Sequence, residues 1–560
     1  MSLIRKPAWI FALVTLIVSA LFMVGSFVRY GEHYLNADIS SDLVMAKFLN
    51  EEKSFISKDF YYSTEVKIAN TVNIYQIMLA LFPENWHLAR LSAIIVNALI
   101  FAMGFIYMAK SFARDFPIMI ICLAALLLPF SKDYMFLMTF GCFSYIYSAV
   151  TFFNIGFILR LKTKKKRVLR LVALIILNVI ISSSGLKMVM FCAVPVTAVV
   201  VYLLCESLTK IRRLPDLMKM PEWPIIVGGI INNIAIGIGY LINKIYIIPN
   251  YHVEEFTASN LRHFSFADVL VHLQYLPEFF GFVGEVPLLS ITGLTSIVTV
   301  LLTVFFIIIL VYLFKFSLHK DFLLVHGDSL CRRAENFDED DEAKNGKEGL
   351  LSIAEKVIII FCASSIFFGL LINVSTPKGR IAGSLGVGYY LPGFLMLIVV
   401  AFLFLEKIST RQRWVTYTFI FVVYLIFLGK SYATVRDNLQ ASDSHYEQTA
   451  DWLVENGYKE GFATFWNGNV LSEASNGQIE VWALCEGLKE PTIHRWLQKV
   501  AHSTAYPKGK CFVYATSMQV WNQEVDTKYM ELIAERSIVL PNDDRLYLFE
   551  SGEDYMSHFR

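Results

Sequence analysis

The sequence predicts an α-helical polytopic membrane protein with about eleven transmembrane helices and a small C-terminal α/β domain. Its composition is the first reason: of 560 residues, 56% are hydrophobic and only 17% are charged, whereas a typical soluble domain is about 25% charged. The mean hydropathy is +0.52. The second and third reasons are a series of long apolar runs and an alternation of basic residues between the two sides of the predicted bundle.

A helix that crosses the hydrocarbon core needs about 17–25 apolar residues. The sequence contains eleven runs near that length, and the third and fifth are short. The predicted spans lie near residues 8–29, 87–109, 116–131, 135–159, 171–185, 188–205, 224–247, 288–314, 354–373, 388–405 and 414–430.

The basic residues predict the orientation of these spans. With Arg5 and Lys6 in the cytoplasm, the connections KSFARD, RLKTKKKRVLR, TKIRRLPDLMK and EKISTRQR all fall on the same side, as the positive-inside rule requires. The N-terminus is therefore expected on the cytoplasmic side of the cell membrane and the C-terminus on the outer side. The first span is too long for a signal peptide and ends in no small-residue cleavage site, so we interpret it as an uncleaved anchor.

Two domains are predicted. Residues 1–430 form the transmembrane domain, and residues 431–560 form an extracytoplasmic α/β domain. The transmembrane domain includes a first external loop at 30–86, a second external loop at 248–287 and a cytoplasmic loop at 315–353. The second external loop has Leu270, Leu273, Leu276 and Phe279 at helical spacing, which is typical of an interfacial helix.

The tail alternates helix-like and strand-like segments. YEQTADWLVENG predicts a helix that ends at Gly457, and FATFW, QIEVWAL, KCFVYAT and RLYLFES predict strands. Further helices are expected at HRWLQKVA and KYMELIAER. Cys485 and Cys511 fall in predicted strands, either as a disulfide or as two free thiols, since the sequence fixes no distance between them.

The first external loop carries the candidate catalytic residues. Asp38 and Asp42 are four residues apart and share a face if the segment is helical, and Glu65 follows in YYSTE. Each has a plainer interpretation: Asp38 as an N-cap, Asp42 as a first-turn carboxylate, Glu65 as a helix-start residue. Two aspartates directly after a span lie near the depth of the lipid headgroups, and this favours chemistry on a lipid-linked substrate.

Basic residues on the outer side are candidates for binding a phosphate. Lys187 lies between the fifth and sixth spans, Lys378 and Arg380 lie in a glycine-rich loop before the tenth, and Arg90 begins the second. Glycines allow backbone N–H groups to approach an anion, which favours Lys378 and Arg380. For Arg90, snorkelling towards lipid phosphates is the plainer interpretation. No Cys/His spacing indicates zinc, and few charged residues lie within the spans, which disfavours a transporter.

These features together resemble the GT-C superfamily, the integral membrane glycosyltransferases that use polyprenyl-phosphate sugars. The resemblance rests on the acidic first loop (NADISSDL), on the segment KGRIAGSLGVGYYLP before a late span, and on the tail segment GFATFWNGNVLSEASNGQIEVWAL. The tail segment is similar to the C-terminal domain of bacterial protein-mannosyltransferase-like proteins. Unlike protein O-mannosyltransferases, the chain has Ile39 after Asp38, and its first loop has no Asp-x-Asp motif.

The resemblance implies an inverting single displacement from a polyprenyl-phosphate sugar to a glycan, lipid or protein acceptor of the cell envelope. Asp38 would be the base, with Asp42 second, and Lys378, Arg380 and Lys187 would bind the donor phosphate. It leaves open whether a divalent cation, Mg²⁺ or Mn²⁺, takes part, and no nucleic-acid partner is expected. Two alternatives remain: an envelope polysaccharide polymerase or ligase, and a non-catalytic protein that binds a lipid carrier or serves export.

Overall fold

The computed structural model describes residues 2–210, 214–253, 265–318, 351–375, 388–408, 413–441, 445–485 and 488–559. The membrane part and its external loops contain, in chain order, α1 (Ser2–Tyr30), α2 (Ala37–Glu51), β1 (Phe60–Tyr62), α3 (Thr71–Leu81), α4 (Trp86–Ala109), α5 (Phe116–Leu126), α6 (Lys132–Tyr134), α7 (Tyr145–Arg160), α8 (Arg167–Ser182), α9 (Val194–Leu208), α10 (Trp223–Ile242), α11 (Ile248–Asn250), β2 (His252–Val253), α12 (Phe266–Phe279), α13 (Ile291–Leu318), α14 (Ile353–Ser375), α15 (Leu391–Ile408) and α16 (Arg413–Ala441).

Within the described residues, eight helices are long and apolar enough to cross a membrane. They coincide with eight of the predicted spans. The other three predicted spans, near 116–131, 135–159 and 171–185, correspond to the shorter helices α5, α7 and α8, so the count of eleven and the orientation stay predictions. The fourth predicted span begins ten residues late, at Tyr145, because a π-helical turn and a loop with Cys142 at φ 59° precede α7.

Small and polar residues hold the membrane helices together. At Gly104 on α4 a Cβ atom would lie 2.7 Å from the carbonyl oxygen of Ala149 on α7, so only glycine permits this close approach. The amide of Asn154 on α7 donates to Asn178 on α8 (2.7 Å), which in turn donates to Asn232 on α10 (3.0 Å). This ladder of amides links three helices inside the bundle.

The C-terminal part is an α/β unit. It contains α17 (Tyr446–Glu455), β3 (Glu460–Thr464), α18 (Phe465–Ala474), β4 (Glu480–Leu484), β5 (Gln498–Lys499), β6 (Cys511–Ala515), α19 (Ser517–Trp521), α20 (Thr527–Ile533), β7 (Arg536–Val539), β8 (Arg545–Phe549) and α21 (Gly552–Ser557). Five strands form a sheet in the order β4-β3-β6-β8-β7, parallel across β4, β3 and β6 and antiparallel beyond.

Most elements predicted in the tail are present. The four predicted strands correspond to β3, β4, β6 and β8, and α17 ends before Gly457, which has φ 79°. The predicted helix at HRWLQKVA is wrong: the segment forms β5 and a 3₁₀ turn, because Gln498 bonds to the backbone of Ala483 and pairs with the first external loop. Cys485 and Cys511 are free thiols.

The tail packs directly on the first external loop. Strand β5 pairs antiparallel with β1, and β2 pairs parallel with β1 on its other side. Phe465, Ala483 and Leu497 of the tail share one hydrophobic core with residues of α2 and α3. Helix α16 continues to Ala441, past the domain boundary drawn at 431. The tail and the first external loop therefore share one small sheet and one hydrophobic core.

The second external loop contains the predicted interfacial helix, α12, which begins after the N-cap Ser265. Its apolar face is divided in two. Leu276 and Phe279 are buried against the membrane helices, whereas Leu270 and Leu273 remain exposed. This arrangement fits a helix that lies along the membrane surface.

Candidate functional site

Helix α2 carries the two predicted aspartates. Its N-cap is Asn36, whose side-chain oxygen accepts a hydrogen bond from the backbone N–H of Ile39 (2.9 Å). Because Asn36 caps the helix, the carboxylate of Asp38 in the first turn is not needed for capping. Asp38 is half-buried, and Asp42, one turn further along, is only 2% exposed.

Asp42 forms a buried ion pair with Lys67, which lies in the loop between β1 and α3. The ammonium of Lys67 also lies 5.0 Å from the centre of the Phe143 ring. Within the described part of the chain, the second carboxylate oxygen of Asp42 has no hydrogen-bond partner. Burial raises the pKa of Asp42, and Lys67 opposes this rise without cancelling it. The charged form of Asp42 is therefore stabilised by its ion pair with Lys67.

Glu65 lies in the same loop rather than at the start of a helix. It accepts a hydrogen bond from the hydroxyl of Tyr147, and its Oε1 lies 3.7 Å from Nζ of Lys187. Lys187 also donates to the carbonyl oxygen of Phe143 (3.2 Å) and lies 4.8 Å from the centre of the Tyr147 ring. Burial lowers the pKa of Lys187, while Glu65 opposes that shift.

These contacts join Asp42, Glu65, Lys67 and Lys187 into one group, which we call the acidic–lysine cluster. Asp38 lies beside it. Burial raises the pKa of Asp38, Lys67 lowers it and Asp42 raises it. The structure thus brings together four residues predicted from the sequence and adds Lys67. Asp38 forms no ion pair with any residue that the structure describes.

Arg90 lies in the second turn of α4 and is 1% exposed. Its Nε and Nη2 donate to the two carboxylate oxygens of Glu473 on α18, at 2.6 and 2.7 Å. Its Nη1 donates to the hydroxyl of Tyr75 (3.1 Å), and its Nη2 also donates to the backbone carbonyl of Ile39 (3.0 Å). The guanidinium thus bridges the tail, α3 and α2, rather than facing lipid phosphates.

Two of the predicted phosphate-binding residues, Lys378 and Arg380, lie outside the described residues. Their relation to the acidic–lysine cluster therefore stays a prediction.

The carboxylates of the site do not fit a divalent cation. Asp42 and Glu65 have ammonium partners, Lys67 and Lys187, which compete with a metal for their oxygens. Across the described ranges, no group of three His, Cys, Asp or Glu side chains could hold a metal ion. Three or more oxygen ligands are usual for Mg²⁺ or Mn²⁺.

Several residues of this region were not predicted. Lys67 stands two residues after Glu65, and a cation so close to a candidate carboxylate was a usable signal in the sequence. Glu473 gave no signal, because it is 383 positions away from its partner.

Asp133 and Glu278 form a second acidic pair on α6 and α12: burial raises the pKa of both, and Asp133 raises that of Glu278 further.

Comparison with solved structures finds proteins of similar fold. The chain is similar to ArnT from Cupriavidus metallidurans bound to undecaprenyl phosphate, with a TM-score of 0.56 and 11% identity over 96% of this chain and 98% of that one. The apo state of that protein gives 0.55 and 10% identity over 97% and 98%. The Archaeoglobus fulgidus oligosaccharyltransferase in complex with Zn and sulfate gives 0.42 and 11% identity over 84% and 62%. No family model and no curated protein matches the chain.

The likeness to ArnT spans nearly the whole of both chains and shows that the two proteins share a fold, in agreement with the fold that the sequence predicts. At about one identical residue in ten, such a likeness defines a fold and leaves the activity to be argued from the site.

Proposed function

We propose that the chain is an integral membrane glycosyltransferase that moves a sugar from a polyprenyl-phosphate donor to a cell-envelope acceptor on the extracytoplasmic face. The observation that carries the proposal is the acidic–lysine cluster beside Asp38, which the first external loop and Lys187 form in a GT-C fold. A carboxylate next to ammonium groups supplies both a base for the acceptor and a countercharge for the leaving phosphate. The strongly basic connections all fall on the opposite side of the predicted bundle, and this supports the outward placement of the first external loop.

The proposed reaction is a single in-line displacement that inverts the anomeric carbon. The acceptor oxygen forms a bond to this carbon while the bond from the carbon to the donor phosphate oxygen breaks. The electron pair of the broken bond leaves with the polyprenyl phosphate. The proton of the acceptor hydroxyl passes to the carboxylate of Asp38, a step that typically contributes about 10²–10⁴-fold to the rate.

Asp38 suits the role of base better than Asp42 or Glu65. It is half-buried, and burial raises its pKa towards the operating pH, where a general base is most effective. Asp42 is engaged by Lys67 and closed off from solvent. Glu65 already accepts a hydrogen bond from a tyrosine and faces Lys187.

The leaving phosphate would be stabilised by Lys187 and Lys67, which are fixed in place before the donor binds. Preorganised charge of this kind avoids reorganisation during the reaction. We retain Lys378 and Arg380 as further candidates for this role. Arg90 is left out, because its guanidinium is buried and its three nitrogens already donate to protein partners.

The test is glycosyl transfer by the purified protein from a polyprenyl-phosphate sugar pool. Asp38→Asn is expected to lose turnover by about 10²-fold or more. Asp59→Asn is the matched control, since it makes the same change at an exposed position of the same loop and should keep wild-type turnover. If Asp38→Asn retains turnover, Asp38 is not the base. If the wild-type protein binds the lipid carrier and transfers nothing, the non-catalytic alternative holds.

A further inference from the structure

Arg90 and Glu473 form a deeply buried ion pair between the tail and the membrane domain. Arg90 is 1% exposed and Glu473 is 6% exposed. The pair is bidentate, with two parallel N–H···O bonds of 2.6 and 2.7 Å. Replacing a buried ion pair by apolar residues often leaves stability unchanged or raised, so stability alone is a weak reason for its presence. What a bidentate pair supplies is a fixed orientation of its two partners.

The fixed guanidinium reaches the helix that carries Asp38. Its Nη2 donates to the carbonyl oxygen of Ile39, the residue that follows Asp38, in the first turn of α2. The tail holds the same helix further along, where Nζ of Lys47 donates to the carbonyl oxygen of Gly477 (2.7 Å). The position of α2 is therefore set from two points by α18 and the turn that follows it.

We propose that Glu473, through Arg90, fixes the first turn of α2 and so orients Asp38 for proton transfer. Both are positioning residues: neither needs to touch donor or acceptor. This inference rests on the proposed function, and it assigns the C-terminal domain a part in catalysis as the element that completes the geometry of the base. A displacement of a catalytic group by about 1 Å costs about 10²-fold in rate.

A cavity beside the pair allows a specific test of this role. The cavity, with a volume of about 80 Å³, is lined by Arg90 and Glu473 together with residues of α1, α17 and α18. In an Arg90→Ala variant the space of the lost side chain would join this cavity. A free guanidinium ion could then enter and restore the charge opposite Glu473.

The experiment compares Arg90→Ala, Arg90→Lys and Glu473→Gln with the wild type, in turnover, in donor KM and in hydrogen exchange of α2 amides. We expect Arg90→Ala to lower kcat by about 10²-fold with an unchanged donor KM, and to speed exchange at residues 37–43. Added guanidinium should restore part of kcat. The kcat of Arg90→Lys should lie between those of Arg90→Ala and the wild type, because lysine keeps the charge but lacks the two parallel N–H donors of the guanidinium. Glu473→Gln keeps the shape of the side chain and removes its charge. It therefore tests the same ion pair if Arg90→Ala fails to fold.

Arg545→Ala, which breaks an ion pair within the tail far from α2, is the control and should change neither exchange nor kcat. The inference is overturned if every folded variant of Arg90 and Glu473 exchanges α2 amides like the wild type, or if kcat is unaffected in all of them. It is also overturned if donor KM rises while kcat stays constant, since that result would place Arg90 in donor binding. A wild-type protein that transfers nothing would instead defeat the proposed function, and turnover that survives Asp38→Asn would remove Asp38 from the role of base. In both cases the exchange data would still decide whether Glu473 fixes α2.

Discussion

Replacing Lys67 by methionine would leave the carboxylate of Asp42 buried without its counterion. Asp42 is 2% exposed and has Lys67 as its ion-pair partner. Oδ2 of Asp42 already lacks a hydrogen bond within the described residues. Two charges about 4 Å apart interact by about 4 kcal/mol at an effective dielectric constant of about 20. Breaking a buried pair from one side typically costs about 3–5 kcal/mol. We therefore expect Lys67→Met to lower the free energy of unfolding by about this amount at pH 8.

The pH dependence of this loss follows from the pKa of Asp42. Burial already raises the pKa above its usual value in the wild type, and removal of Lys67 raises it further. A carboxyl whose pKa is raised in the folded state destabilises the fold when it ionises, so the free energy of unfolding rises as the pH falls through that raised pKa. The deficit of Lys67→Met should therefore shrink between pH 8 and pH 5.

The assay is thermal unfolding in detergent micelles, followed by tryptophan fluorescence across that pH range. The double variant Lys67→Met/Asp42→Asn removes the buried charge together with its partner and should recover most of the lost stability. A deficit below about 1 kcal/mol, as for an exposed ion pair, with no change between pH 8 and pH 5, would show that Asp42 does not need Lys67 as a counterion.

Two further predictions concern the tail. Gly477 has φ 72°, and a Cβ there would lie 2.2 Å from the indole of Trp86, so Gly477→Ala should lower the apparent Tm, whereas Gly509→Ala, in open space, should not. Burial opposes ionisation of Glu480, but hydrogen bonds from His502 and a lysine prevail and hold its pKa at about 2. Glu480 thus stabilises the fold above its unfolded pKa of about 4.3 and loses this effect as the pH falls towards 2. Glu480→Gln should make the acid side of the stability curve less steep, and an unchanged slope would contradict the assignment.

The fold class could be predicted from the sequence because hydrophobicity over about 20 residues is a strong local signal. Hydrophobicity does not predict the secondary structure where tertiary contacts determine the backbone conformation. Gly141 and Cys142 interrupt the predicted fourth span, and at Gly141 a Cβ would clash with the carbonyl oxygen of Phe136. HRWLQKVA has the periodicity of a helix, but its pairing with the first external loop decides in favour of a strand.

The site was predictable to the extent that its charges stand out locally. Asp38, Asp42 and Glu65 share one loop next to a span, and Lys187 is conspicuous as a cation on the predicted outer side. The partner of Arg90 could not be predicted from the sequence, because Glu473 lies in a tail helix that gave no pattern of its own. Spacing along the chain carries no information about such a contact, which forms only when the tail docks.

Binding of a carrier phosphate at the acidic–lysine cluster can be measured as the affinity of the protein for undecaprenyl phosphate in detergent micelles. A charge-assisted hydrogen bond is worth about 1.5–3 kcal/mol, so Lys187→Met should weaken binding by about tenfold or more. Lys53→Met, which removes an exposed ammonium from the first external loop, should bind like the wild type. Equal affinities for all three proteins would contradict the assignment of the acidic–lysine cluster as the place where the carrier phosphate binds.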